Sequence, residues 1–123
     1  MPGTFVFRPK EANLVDEKGF YENNDPYCKV RVGMHSMKTK VAEHEGKNPH
    51  WDDSLVMKSR SWDHHAKIKV KESPGVHVAN VIGKAKVNLD EVRAQGKVVK
   101  KYELHHLGNL VGDILLDIEY FKQ

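Results

Sequence analysis

Apolar and polar residues alternate with period two along much of this chain, a pattern typical of half-buried β-strands. The clearest run is near the C-terminus, where every second residue is apolar: Ile114, Leu116, Ile118 and Tyr120. Similar alternation predicts seven further strands: 4–8, 28–34, 38–43, 54–58, 66–71, 81–87 and 98–104. Eight short strands at regular spacing indicate an all-β fold, an eight-stranded antiparallel β-sandwich.

One connection carries the signals of a short helix. Residues 89–95 are preceded by Asn88, whose side chain can cap the first turn, and followed by Gly96, which can end the last one. Glu91 completes a capping-box pattern with Asn88. No internal repeat or low-complexity segment interrupts the sequence, so we expect a single domain over residues 1–123.

The composition indicates the cellular location of the protein and the kinds of partner it could bind. The single cysteine, Cys28, excludes an internal disulfide and favours a reducing, cytoplasmic location. The sequence has neither a signal-peptide core nor an apolar stretch near the ~20 residues of a membrane span, so membrane contact is expected to be peripheral. The net charge of +3 gives no reason to expect nucleic-acid binding.

Charge is nevertheless distributed unevenly along the chain. Residues 11–25 carry five acidic side chains and one lysine, whereas residues 66–87 carry five lysines and one glutamate. The folded protein should therefore have one acidic and one basic region on its surface.

Four motifs, in this order, resemble the signature of the C2 domain. They are Asp25-Pro26-Tyr27-Cys28-Lys29-Val30, Lys38-Thr39-Lys40-Val41, Asn48-Pro49-His50-Trp51-Asp52-Asp53 and Val81-Ile82-Gly83. The first and last residues of the chain are similar to small single-domain C2 proteins of the plant elicitor-responsive type. The resemblance covers residues 3–121. It implies an eight-stranded sandwich with three loops at one end that often bind Ca²⁺ and phospholipid headgroups.

The resemblance also implies a set of calcium ligands, which is degenerate here: Asp16, Asp25, Glu72 and Asn80. Asp25 matches a family aspartate directly, whereas Asp16 reaches its position only through an insertion. In the third loop Pro74 stands where the family has an aspartate, and it offers no side-chain oxygen. Because Ca²⁺ takes about six to eight oxygen ligands, we expect weak or no binding, and no other cofactor. Calcium-triggered binding stays open if five carboxylates rearrange around the ion: Asp16, Asp25, Asp52, Asp53 and Glu72.

Cations recur at alternate positions of three predicted strands: Lys29 and Arg31, Lys38 and Lys40, and Lys67, Lys69 and Lys71. Period two places each set on an outward face, opposite the apolar residues. Some C2 domains resemble this in having a lysine-rich face that binds phosphoinositides, which implies anionic phospholipids as partners. The alternative is that these lysines only keep the sheet soluble and protect its edges.

Loop residues could add an apolar contact with a membrane: Phe20, Tyr21, Val76 and Val78. Apolar side chains on loops flanked by charge can insert at a bilayer interface. The alternative is that Phe20 and Tyr21 fold back over the end of the sandwich.

We interpret the paired histidines, the cysteine and the tryptophans as structural residues. The pairs His64-His65 and His105-His106 point to opposite faces of a strand, and no cysteine or carboxylate completes a zinc spacing. Cys28 alternates with Val30 and should be an inert core thiol. Trp51 and Trp62 are expected to pack in the core or at its rim. No nucleophile–base motif or phosphate-binding glycine loop is present, so we expect no enzyme activity.

Two functions of different classes follow from these observations. The first is a stand-alone C2 module that acts as a cytosolic adaptor and binds anionic phospholipid membranes peripherally, largely without Ca²⁺. The second is a structural subunit that docks onto a protein partner in a stable intracellular assembly and has no lipid role. Binding to anionic vesicles at low salt distinguishes the two.

Overall fold

The computed structural model describes residues 3–15, 25–43, 45–72 and 80–123. It has eight strands and one helix: β1 (Gly3–Leu14), β2 (Pro26–Val32), β3 (His35–Lys38), β4 (Leu55–Ser59), β5 (His65–Glu72), β6 (Asn80–Asn88), α1 (Leu89–Gln95), β7 (Lys97–His106) and β8 (Asn109–Lys122). The strand order is β3-β2-β5-β6-β7-β8-β1-β4. Because β6 and β7 are joined through one residue pair, Lys84 with His105, the strands form two antiparallel layers of four. The predicted sandwich is confirmed.

The apolar residues at alternate strand positions form the core, as predicted. Three strands each contribute three side chains that are fully buried: Cys28, Val30 and Val32 from β2, Ala66, Ile68 and Val70 from β5, and Ile114, Leu116 and Ile118 from β8. Burying a large apolar side chain stabilises a fold by about 1.5–3 kcal/mol, so these residues hold the two layers together. The residues between them on β2 and β5 consequently face outward and are available for binding.

The first strand is longer than the alternating pattern predicted. β1 continues beyond residue 8 because a β-bulge between Pro9 and Glu11 accommodates the proline, which cannot donate a main-chain hydrogen bond. Within the bulge, the Lys10 carbonyl accepts the Trp51 N–H at 2.9 Å. Trp51 is 7% exposed and its Nε1 donates to the Pro26 carbonyl at 3.2 Å, which confirms its predicted place in the core.

The prediction of a strand over residues 38–43 is wrong. Gly33, with φ of +58°, and Met34 form a tight turn after β2, so β3 begins at His35. β3 ends at Lys38 because the Thr39 hydroxyl accepts the Cys28 N–H at 3.0 Å, in place of a main-chain carbonyl. Met34 lies in the turn after β2 and is 81% exposed, whereas the alternation over residues 28–34 would place it on the buried face. Lys40 lies in the connection to β4 and not on a strand.

The helix forms where the sequence predicted it. Asn88 Oδ1 accepts the Glu91 N–H at 3.2 Å, and the Gly96 N–H donates to the Val92 carbonyl at 2.7 Å. Gly96 has φ of +80°, a conformation that favours glycine at the end of a helix. In the part of the chain that the structure describes, no helix has the length and apolar character needed to cross a bilayer.

Candidate functional site

The strand register arranges the cations of one layer in two parallel rows. The first row crosses β3, β2, β5 and β6 in the order Lys38, Lys29, Lys69 and Lys84. The second crosses β2, β5 and β6 in the order Arg31, Lys67 and Lys86. The rows are two residues apart, or about 6–7 Å along a strand. We refer to these seven residues as the basic face.

The basic face contains five of the seven cations that the sequence singled out. Lys71 lies two residues further along β5, opposite Tyr27, and Lys40 lies beyond the end of β3. Sequence reasoning missed Lys84 and Lys86 as site residues. Their signal was the alternation of Lys84-Ala85-Lys86 in a predicted strand, but only the pairing of β6 with β5 places them beside Lys67 and Lys69.

Like charges face one another across the basic face. Five of its cross-strand neighbours are pairs of cations: Lys29–Lys38, Lys29–Lys69, Arg31–Lys67, Lys67–Lys86 and Lys69–Lys84. Like charges directly opposite each other destabilise a sheet. Burial and then the neighbouring charges, led by that of Lys84, lower the pKa of Lys69.

Counter-charges do not offset this repulsion within the described residues. No carboxylate among them forms a salt bridge with any of four lysines: Lys67, Lys69, Lys84 and Lys86. The same four lysines line a cleft of about 420 Å³, with Glu103 and His105 of β7 along its other side. Ammonium groups in this arrangement are suited to bind an anion with several oxygens, such as a phosphate ester.

A second cleft, also of about 420 Å³, adjoins the first through Lys67, which lines both. Its walls include Arg31, Trp62 and Asp63. Trp62, expected to pack in the core or at its rim, is 66% exposed, and the Arg60 guanidinium carbon lies 5.4 Å from its ring centroid. The second cleft therefore combines cations with an exposed indole ring.

Three of the four predicted calcium ligands, Asp25, Glu72 and Asn80, lie at the opposite end of the sandwich from Trp62. Asp25 precedes Pro26, which pairs with Glu72, and Glu72 pairs with Asn80. Two carboxylates fall short of the oxygen ligands that Ca²⁺ requires, so Asp25 and Glu72 alone do not fit a calcium site. Across residues 3–15, 25–43, 45–72 and 80–123, no group of three or more His, Cys, Asp or Glu side chains could hold a metal ion.

Several predicted residues cannot be placed in this site. Five lie outside the described residues: Asp16, Phe20, Tyr21, Val76 and Val78. Asp53 Oδ2 accepts the Lys40 N–H at 3.1 Å, which gives this carboxylate a structural role in the β3–β4 connection.

Three residues could suggest metal binding or nucleophilic chemistry: His64, His65 and Cys28. His64 Nδ1 lies 3.0 Å from Asp90 Oδ2 of α1, and both His64 and His65 line the second cleft. Cys28 is fully buried, and burial raises the pKa of its thiol, which confirms the predicted inert core thiol.

The chain is similar in sequence and in fold to known proteins. Over 104 residues the chain is 25% identical to the 16 kDa phloem protein 1 of Cucurbita maxima, an alignment that covers 76% of this chain and 69% of the relative. Its fold is similar to that of a C2 domain-containing protein from an elicitor-responsive gene (TM-score 0.86, 23% identity, covering 98% and 89% of the two chains). It is also similar to a C2 domain of plant extended synaptotagmin 1 (TM-score 0.82, 19% identity, covering 98% and 95%).

The family assignment rests on a broader match. The family model of the C2 domain matches residues 3–104, which include strands β1 to β6, most of β7 and most of the residues that line the two clefts. C2 domains are modules that bind lipids or proteins and are generally not catalytic. The chain belongs to the C2 domain family.

Proposed function

We propose that residues 1–123 form one C2 module, which acts as a cytosolic adaptor by binding anionic phospholipid headgroups through the basic face. The observation that carries the proposal is the concentration of seven cations in two rows, with five like-charged pairs between neighbouring strands. Such a cluster lowers the stability of the sheet. Phosphate groups bound at the cluster would relieve this repulsion.

The expected affinity is low for one isolated domain. Each cation near an anionic leaflet contributes ~1 kcal/mol, so four or five contacts give ~4–5 kcal/mol. That free energy corresponds to a dissociation constant near ~1 mM. An adaptor of this kind would reach useful affinity through a second contact made at the same time, by an apolar anchor or a protein partner.

We propose further that binding is largely independent of Ca²⁺. The support is the donor set at the loop end, where Asp25 and Glu72 are the carboxylates at the matching described positions and Pro74 replaces an aspartate. A calcium site would need several more oxygen ligands from the same end.

Sedimentation with phospholipid vesicles tests the proposal. In buffer with a calcium chelator, the protein should bind vesicles of phosphatidylcholine and phosphatidylserine but not vesicles of phosphatidylcholine alone. Binding should weaken as ionic strength rises from about 0.05 to 0.2 M, because screening limits each charge to about 8–10 Å. Addition of Ca²⁺ at about 10⁻⁴ M should leave it unchanged. Binding that requires Ca²⁺, or none at low salt, would contradict the proposal.

A separate feature favours the second candidate function, a subunit that binds a protein. β3 and β4 stand at the two ends of the strand order, and the cleft between them, of about 250 Å³, exposes Met37 and Val56. Open strand edges with apolar side chains can accept an added strand or a helix from a partner. A stable, salt-resistant complex with a cellular protein, together with no vesicle binding, would favour this candidate.

A further inference from the structure

Trp62 is held at the surface by a hydrogen-bonded turn. The Arg60 N–H donates to Asp63 Oδ2 at 2.8 Å, and the Asp63 N–H donates to the Arg60 carbonyl at 3.0 Å. These bonds close a four-residue turn with Trp62 at its third position. Arg93 of α1 also donates to the Arg60 carbonyl, at 3.1 Å, which ties the turn to the helix. The exposure of the indole is therefore fixed by the fold.

The surroundings of Trp62 combine cations with one carboxylate of the same cleft, Asp63, and an exposed apolar side chain. Arg31 and Lys67, both of the basic face, line the same cleft. Arg31 Nε donates to the Gly33 carbonyl at 3.0 Å, which directs the guanidinium toward this end of the sheet. Gly33 and Asp63 line this cleft together, and a Cβ added at Gly33 would lie 3.0 Å from Asp63 Oδ1. The turn that carries Met34, which is 81% exposed, is thus adjacent to the turn that carries Trp62.

The opposite end of the sandwich has a different character. The connection 39–54 carries four acidic residues and two lysines, and Asp25 and Glu72 lie at neighbouring strand ends. This end also exposes an apolar side chain, Leu107, which is 87% exposed in the β7–β8 turn. An anionic surface would be repelled by the carboxylates there, but attracted to the cations beside Trp62.

We propose that Trp62 anchors the domain in the headgroup layer of an anionic bilayer, so that the Trp62 end of the sandwich and the basic face meet the membrane together. Tryptophan favours the level of lipid headgroups, because its ring is apolar and its N–H is polar. Arg31 and Lys67 share a cleft with that ring, so phosphates and indole would be engaged at the same depth. The inference rests on the proposed phospholipid binding and adds the apolar anchor and the orientation.

Tryptophan fluorescence reports directly on this anchor. The chain has two tryptophans, and Trp51 is buried at 7% exposure, so its emission should not respond to lipid. Titration with vesicles of phosphatidylcholine and phosphatidylserine should shift the emission to shorter wavelength, and lipids brominated on the upper acyl chain should quench it. Both effects should be absent in Trp62→Phe. Soluble inositol hexakisphosphate, which has no apolar phase, should bind without the shift.

Binding of substituted proteins provides a second readout. Trp62→Ala should weaken vesicle binding about tenfold, which corresponds to ~1.4 kcal/mol, and should leave the affinity for inositol hexakisphosphate unchanged. Leu107→Ala is the matched control, an exposed apolar residue at the other end, and should change vesicle binding less than about twofold, or ~0.4 kcal/mol. Thermal unfolding of each variant checks that the fold is intact.

Each alternative result has a distinct meaning. If vesicles bind through the basic face but Trp62 emission is unchanged and Trp62→Ala binds like the parent, the anchor is wrong and the proposed function stands. Loss of binding in Leu107→Ala instead would assign the membrane contact to the opposite end. An emission shift with soluble poly-glutamate but not with vesicles would assign the surface to an acidic protein. No vesicle binding by the parent protein would overturn both proposals.

Discussion

Two regions of this C2 domain differ in how the charges of their cations are balanced. In the layer formed by β7, β8, β1 and β4, Arg8 bonds Glu119 at 3.1 Å and Lys97 lies 3.7 Å from Asp117. In the basic face, the cross-strand partners of Lys69 are two other cations, Lys29 and Lys84. Cations paired with carboxylates stabilise the fold, whereas the like-charged neighbours of the basic face destabilise it. A binding site for anions is therefore expected at the basic face.

The two tryptophans follow the same division. Trp51 is buried against the bulge of β1 and donates to the Pro26 carbonyl, whereas Trp62 projects from a turn next to the basic face. One ring closes the core and the other is left at the surface. Residue type alone could not have distinguished them.

The largest expected effect is the difference in the free energy of unfolding between alanine variants of the two tryptophans. Trp51→Ala should lower the free energy of unfolding by ~3–5 kcal/mol, because it leaves a cavity in the core and removes the bond to Pro26. Trp62→Ala should change it by less than ~0.5 kcal/mol, as is usual for an exposed position. Urea unfolding monitored by circular dichroism measures both. Similar losses in the two variants would remove the distinction.

Removing one charge should change the free energy of unfolding by a smaller amount, and in opposite directions in the two regions. Asp117→Asn should lower the free energy of unfolding by ~0.5–1 kcal/mol, because it leaves Arg8 and Lys97 with less counter-charge. Lys69→Gln should raise it by ~0.2–1 kcal/mol, because it relieves repulsion from Lys29 and Lys84. Thermal and urea unfolding at low ionic strength should show the two signs. A destabilised Lys69→Gln would mean that this lysine has a stabilising role.

The smallest expected effect concerns the protonation of Lys69. Burial and the adjacent lysines lower its pKa in the free protein. A bound polyanion supplies negative charge that favours the protonated ammonium, so the pKa should rise on binding. Titration of the Lys69 Nζ by nuclear magnetic resonance, with and without inositol hexakisphosphate, measures the shift. A pKa that falls or stays constant in the bound state would place the anion elsewhere.

Local pattern in the sequence was enough to predict much of the fold. The inward residues of β2, β5 and β8 follow from alternation, and the helix follows from Asn88 and Gly96 at its two ends. The errors arose where a non-local contact overrides the pattern. β3 ends early because the Thr39 hydroxyl bonds to β2, and β1 passes Pro9 because a bulge forms opposite β8.

The candidate site was predicted less completely, for a related reason. Alternation placed Lys67 and Lys69 on an outward face, but the face as a whole depends on which strands are neighbours. Lys84 and Lys86 join it only through the register of β6 on β5. The exposure of Trp62 depends on a turn held by Arg93, more than thirty residues away in the sequence. Neither feature can be read from local spacing.

If the basic face is the lipid site, membrane binding should depend on the position of its cations and not on the overall charge of the protein. Two double variants with the same change of net charge separate these causes. Lys69→Glu/Lys84→Glu reverses the centre of the basic face, and Lys10→Glu/Lys101→Glu reverses two exposed lysines of the other layer. Both should remain folded, because exposed charges contribute little to stability.

Sedimentation of these two variants with vesicles of phosphatidylcholine and phosphatidylserine, at low salt and in chelator, is the most direct test. The basic-face variant should lose at least about 30-fold in affinity, since removing two cations costs ~2 kcal/mol, and the other variant should bind nearly as well as the parent. Equal losses in the two variants would show that binding depends on net charge alone, and would contradict the assignment of the basic face as the lipid site.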